Sequence, residues 1–186
     1  MRSFIKANAT KIIVVGGFLL LFAISSAGYV QAATSLTAAE KYWLTYMREE
    51  EKLARDVYVT MYNLYGAQIF NNIAASEQRH MDSIKNLIVK YGIPDPVAGN
   101  DVGEFTNPDL QALYDQLIIQ GKISLVEALK VGVLIEETDI ADLNAGIAST
   151  TRKDIKNVYS NLLDGSLNHL KAFVSNLAAL GITYEP

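Results

Sequence analysis

The sequence predicts an all-α fold: four long helices in two antiparallel hairpins, joined by a long crossover that contains a short helix. Three observations predict it. From Thr37 onward apolar residues recur at helical spacing through long stretches, and no stretch alternates as a half-buried strand would. The stretches begin at capping residues and stop at glycine or proline. The outer two connections are tight turns, whereas the middle one runs to roughly 30 residues, against the usual 2–8 between neighbouring helices in bundles.

Ahead of the helices, residues 1–32 read as a secretory signal peptide. Arg2, Lys6 and Lys11 precede an uncharged apolar run, and Val30 and Ala32 occupy the small-residue positions before a cleavage point. An uncleaved membrane anchor is the alternative, because 12–30 carries no charge. The domain expected to remain is 33–186, secreted or otherwise outside the cytoplasm.

The first helix is expected over 37–65, where Thr37 and Glu40 have capping-box spacing and Gly66 offers a C-cap. The second is expected over 68–91, stopped by the glycine and prolines of YGIPDP. A short helix near 109–120 follows Pro108. The third long helix starts at Ser124, again with a glutamate, Glu127, at capping-box spacing, and ends near Ala148. The fourth spans about 152–180 before Gly181.

Each long helix has one apolar stripe, and each stripe is interrupted by polar residues near its middle. Glu51 sits between Met47 and Ala54, Glu77 and His80 between Ile73 and Ile84, Glu136 between Gly132 and Ile140, and Ser166 and His169 between Leu162 and Phe173. Residues i and i+3 share a helix face, so Glu77 and His80 point inward together. An unpaired buried carboxylate costs several kcal/mol even after relaxation, and four helices carrying polar groups at one depth call for a common partner. A metal ion is the economical one. Glutamate and imidazole suit iron, manganese or zinc. Taken singly, each residue has a plainer reading: Glu51 paired with Arg55 on a solvated face, Glu77 paired with His80 or Arg79, and His169 as a hydrogen-bonded core histidine.

EKLARDVY, from Glu51 to Tyr58, resembles the first-helix E-x-x-A-R-x-x-Y of rubrerythrins, and SEQRHMDSI resembles the second-helix E-x-x-H of rubrerythrins and bacterioferritins. Together with IEETDIADL and GSLNHLKAF, these segments are most similar to the ferritin-like family called domain of unknown function 2202, over about 36–180. One long crossover in a four-helix bundle is also the ferritin-like topology. The resemblance implies a core metal centre with Glu51 and Glu136 as bridging or terminal ligands, Glu77 and His80 on one metal and His169 on the other. It implies iron, with ferrous oxidation or reduction of peroxide or oxygen as the chemistry. The di-iron pattern has a glutamate three residues before the last histidine; here that residue is Ser166, which would border the ligands. Asp139, one turn beyond Glu136, is the candidate fourth carboxylate. Tyr58, two turns from Glu51, is placed to hydrogen-bond a ligand.

Composition narrows the remaining choices. There is no cysteine, which removes iron–sulfur clusters, thiol chemistry and a rubredoxin-like electron donor, so a redox cycle would need an external donor. No haem is expected either. Removing 1–32 takes Arg2, Lys6 and Lys11 from 16 cations and none of 20 acids, leaving a net charge near −7, unsuited to nucleic acid. The expected partners are metal ions and a small oxidant, with a homodimer as a candidate assembly. A non-catalytic metal-binding, storage or sensing module, or a metal-free interaction bundle, is the alternative function.

Overall fold

The computed structural model describes residues 35–184. The signal or anchor segment expected at 1–32 lies outside the described residues. Among those described there are five helices and no strands: α1 (Ala38–Tyr65), α2 (Gln68–Tyr91), α3 (Pro108–Gly121), α4 (Leu125–Ala148) and α5 (Lys153–Ala179). None of these helices is long and apolar enough to cross a membrane.

The local signals act where the sequence places them. Thr37 accepts from the Glu40 amide while the Glu40 carboxylate accepts from the Thr37 amide, a complete capping box. Gly66 ends α1 at φ 66°, a left-handed conformation that a β-carbon disfavours. Asn107 caps α3, with Pro108 in its first turn. At α4 only half of the expected box forms. Ser124 caps the Glu127 amide, but the Glu127 carboxylate turns outward to Lys130 and Gln120.

α1 packs on α2 and α4 on α5, and the pairs meet through α1–α4 and α2–α5, closing a four-helix bundle. The short α3 lies against α1 and α4. The bundle interior has two apolar clusters. One holds Tyr58, Phe70, Val131 and Phe173; the other holds Leu44, Ile84, Leu143 and Leu162. Every long helix contributes to both, and the order in which it meets them reverses from α1 to α2 and from α4 to α5, as antiparallel hairpins require. The polar interruptions of the four stripes fall between the clusters.

The charged run of α1 departs from a solvated face. Arg48, Glu49, Glu50, Glu51, Lys52 and Asp56 are all buried. Arg48 binds Asp95 through two nitrogens, Glu49 accepts the Thr106 and Asn107 amides, and Lys52 bridges Asp56 and the Asp101 carbonyl. These contacts hold the crossover against α1. Arg55 pairs with Asp56 and Gln78, leaving Glu51 to face the core.

Candidate metal centre

Five side chains from four helices converge between the apolar clusters. α1 supplies Glu51, α2 supplies Glu77 and His80, α4 supplies Glu136, and α5 supplies His169. They form two groups with metal-ligand spacing, Glu51–Glu77–His80 and Glu77–Glu136–His169, with Glu77 common to both. Glu77 forks. One oxygen lies 2.8 Å from His80 Nδ1 and the other 2.7 Å from His169 Nδ1. Glu51 approaches His80 Nδ1 at 3.2 Å, and Glu136 approaches His169 Nδ1 at 3.4 Å. The two imidazoles stack with centroids 5.5 Å apart, giving the cluster an approximate mirror arrangement about Glu77.

The close packing depends on small neighbours. Gly165 on α5 faces the His80 ring, and a β-carbon there would lie 2.7 Å from it. Tyr58, fully buried, donates to Glu136 at 2.6 Å and fixes that carboxylate. Tyr58, expected from the sequence to hydrogen-bond a ligand, thus bonds Glu136, one of the candidate ligands.

The donor set fits a metal. Each histidine Nδ1 has two carboxylate oxygens around it but at most one proton to give. Glu51 Oε1, Glu77 Oε1 and His169 Nδ1 are buried with no hydrogen-bond partner, although the last two are 2.7 Å apart. They lie side by side and are not aligned donor to acceptor. Two ligands bound at about 2.1 Å and at right angles to one another sit about 3 Å apart, which is the spacing found here. A divalent ion in each group would satisfy these atoms and offset the three carboxylate charges.

The ionisation of the protein groups is that of a tightly coupled buried cluster. Burial raises the Glu51 carboxyl to about 8 even with His80 beside it. Burial and the Glu77 charge raise Glu136 to about 7. Glu77 goes the other way: burial opposes its charge, but two imidazoles outweigh burial and hold it down at about 2. His80 and His169 resist burial through their carboxylate neighbours and rise to about 11 and about 9.

Asp139 stands outside both groups. Its Oδ2 accepts from Ser166 Oγ at 2.5 Å, and its carboxyl is pushed well above the usual range by burial and by the charges of Glu51 and Glu136. Ser166, in the position of a ligand, therefore bonds the one candidate carboxylate that the two groups leave out. Sequence reasoning passed over Glu50. It is buried, raised well above the carboxylate range by burial and by Asp139, and has one oxygen without a partner. The signal was present: Met47, Glu50, Ala54, Val57 and Met61 form their own helical stripe.

Comparison with known proteins adds a family and a structural relative. The model for "Uncharacterized protein domain (DUF2202)" matches residues 40–186. The uncharacterized protein MJ0754 of Methanocaldococcus jannaschii is 54% identical over 151 residues, covering 81% of this chain and 82% of the relative. The crystal structure of hypothetical protein MJ0754 from Methanococcus jannaschii superposes with a TM-score of 0.80 at 54% identity, covering 81% of this chain and 86% of that one.

Proposed function

The chain belongs to the DUF2202 family, and from that premise we propose that it is an exported, ferritin-like protein whose bundle holds a carboxylate- and histidine-ligated metal centre. The observation that carries this reading is the pair of ligand groups sharing Glu77, with polar atoms left unpartnered inside the bundle. Two groups support a dinuclear centre, and the mix of carboxylate and imidazole suits iron, manganese or zinc, among which the ferritin-like resemblance favours iron. Bound iron would supply one-electron chemistry toward oxygen or peroxide, with electrons from an external donor.

The protein's own residues have definable tasks in that scheme. Glu77 would tie the two ions together, His80 and His169 would each fix one, and Glu51 and Glu136 would complete the two halves. Tyr58 orients Glu136 by hydrogen bonding, as outer partners of metal ligands do. Tyr58, Phe70 and Phe173 pack as a mutually touching aromatic group in the cluster on one side of the centre, excluding water there.

Elemental analysis of protein purified from metal-replete medium tests the reading. Iron is expected at one ion per ligand group, and His80→Ala and His169→Ala should each lose metal while keeping helical circular dichroism. Metal occupancy equal in parent and both variants would remove the centre. Ferrous oxidation or peroxide turnover then separates an oxidoreductase from a storage or sensing module. That second reading draws on Ser166, which leaves the two groups with three carboxylates in all. Export is checked by intact mass of protein recovered from the native cell envelope or exterior, where a mass retaining 1–32 would indicate an anchor.

A further inference from the structure

The centre is sealed unevenly. Glu51, Glu77 and Glu136 expose at most 2% of their side chains, whereas His80 and His169 each expose 11%. Both imidazoles turn Nδ1 toward the carboxylates, so the surface they show belongs to the opposite edge of each ring. Among the described residues neither Nε2 has a hydrogen-bond partner. The unpartnered polar atoms that the fold buries include His169 Nδ1 but neither Nε2. Each Nε2 therefore meets water. Metal-bound histidines usually give that proton to a carboxylate, a backbone carbonyl or water; here water is what remains.

The helix arrangement accounts for the open side. α3 lies against α1 and α4 and covers their seam, while among the described helices none lies over the seam of α2 and α5. His80 and His169 face one another across that seam with their rings stacked. The residues one turn away on the same helix faces are small and partly buried: Ser76 and Ser83 flank His80, and Gly165 and Ala172 flank His169. Short side chains there leave the outer ring edges uncovered. At Gly165 the clearance is tight, since a β-carbon would come within 2.7 Å of His80 Cε1 and Nε2. Along the bundle axis the approach is closed at both ends by the apolar clusters.

We propose that the α2–α5 seam is the entrance of the centre, through which divalent ions and small uncharged oxidants pass over the Nε2 edges of His80 and His169. Ser76, Ser83, Gly165 and Ala172 set its width without being ligands. An opening no larger than two imidazole edges selects by size, admitting species of a few atoms. The inference rests on the proposed centre, because an entrance has a role only if ions bind behind it.

Stopped-flow uptake of Co²⁺ by chelator-treated protein, followed through its visible absorption, tests it, alongside nuclear magnetic resonance of the imidazoles with a neutral gadolinium chelate in solution. The chain has two histidines, so the ring signals are simple to assign. Both should broaden as the chelate is added, while the ring of the fully buried Tyr58 should not. Ser76→Leu should slow Co²⁺ uptake several-fold and shield the imidazoles, with occupancy at equilibrium unchanged. Ser83→Leu, which gives up only a hydroxyl bond to the Arg79 carbonyl of its own helix, should do the same even if Ser76→Leu fails to fold. Ala75→Leu, exposed on another face of α2, should match the parent. Uptake indifferent to both seam substitutions, or imidazole signals as insensitive to the chelate as Tyr58, would overturn the entrance alone. No Co²⁺ bound by the parent would overturn the proposed centre and this inference together.

Discussion

Gly165 and Ser166 decide, within two adjacent residues, how α5 meets the centre. His80 occupies the space a side chain at 165 would take. Gly165→Ala should therefore displace the His80 imidazole without replacing any candidate ligand and lower metal affinity by about tenfold, comparable to other changes beside metal ligands. Competition titration against a chelating dye measures it, and unaltered affinity would show that the His80 position is not critical. Ser166 is fully buried and spends its hydroxyl on Asp139. Ser166→Ala should cost about 1–3 kcal/mol in chemical denaturation, the penalty for a buried acceptor left alone. Ser166→Glu sets a second carboxylate against Asp139 and should destabilise the metal-free chain by several kcal/mol. A Ser166→Glu variant of parental stability would mean that the site tolerates another charge.

At the scale of elements, α1 serves two structures at once: one side faces the bundle and the other fastens the crossover. Lys52, 1% exposed, is held by Asp56 and the Asp101 carbonyl, with Phe105 beneath its ammonium. Lys52→Ala would leave Asp56 with Arg55 and the Gly103 amide, so the loss should fall near the lower end for a broken buried pair, about 3 kcal/mol. Hydrogen exchange should rise in 95–107 before it rises in α2. This double duty explains what the sequence could and could not convey. Helix ends were legible because capping is local: Thr37, Gly66, Pro108 and Ser124 act on residues within one turn. The inward histidines and glutamates were legible because each interrupts a regular stripe. The burial of Arg48, Glu49 and Lys52 was not, because it is created by loop residues some fifty positions away. Nor was the fork of Glu77, since the choice of oxygen for each histidine depends on where α5 lies.

For the whole molecule, pH joins stability to metal affinity. His80 and His169 have folded pKa values raised to about 11 and about 9 from an ordinary 6.5. Their stabilising contribution is complete below 6.5 and is lost as pH climbs through those values. Glu51 and Glu136, raised to about 8 and about 7 from 4.5, add a penalty that grows as pH rises from 4.5 through those values. Glu77, lowered to about 2, contributes stability above 4.5 that disappears only in strong acid. Chelator-treated protein should accordingly melt at a lower temperature at pH 9 than at pH 6. Metal binding must displace the same protons, so affinity should increase over that interval; chelator competition across it would show a flat profile if the ligand assignment is wrong. The sharing of Glu77 has one more consequence, for the order of events during synthesis. Glu51, Glu77 and His80 all belong to the α1–α2 hairpin, so the first ligand group is complete once residues up to 91 have emerged, and N-terminal segments are the first to fold. The α4–α5 hairpin brings only Glu136 and His169 and must borrow Glu77 to finish its own group. If the proposed centre forms, the first ligand group could take an ion by local hairpin closure, whereas the second would have to wait for the docking of two halves and would in turn lock them together.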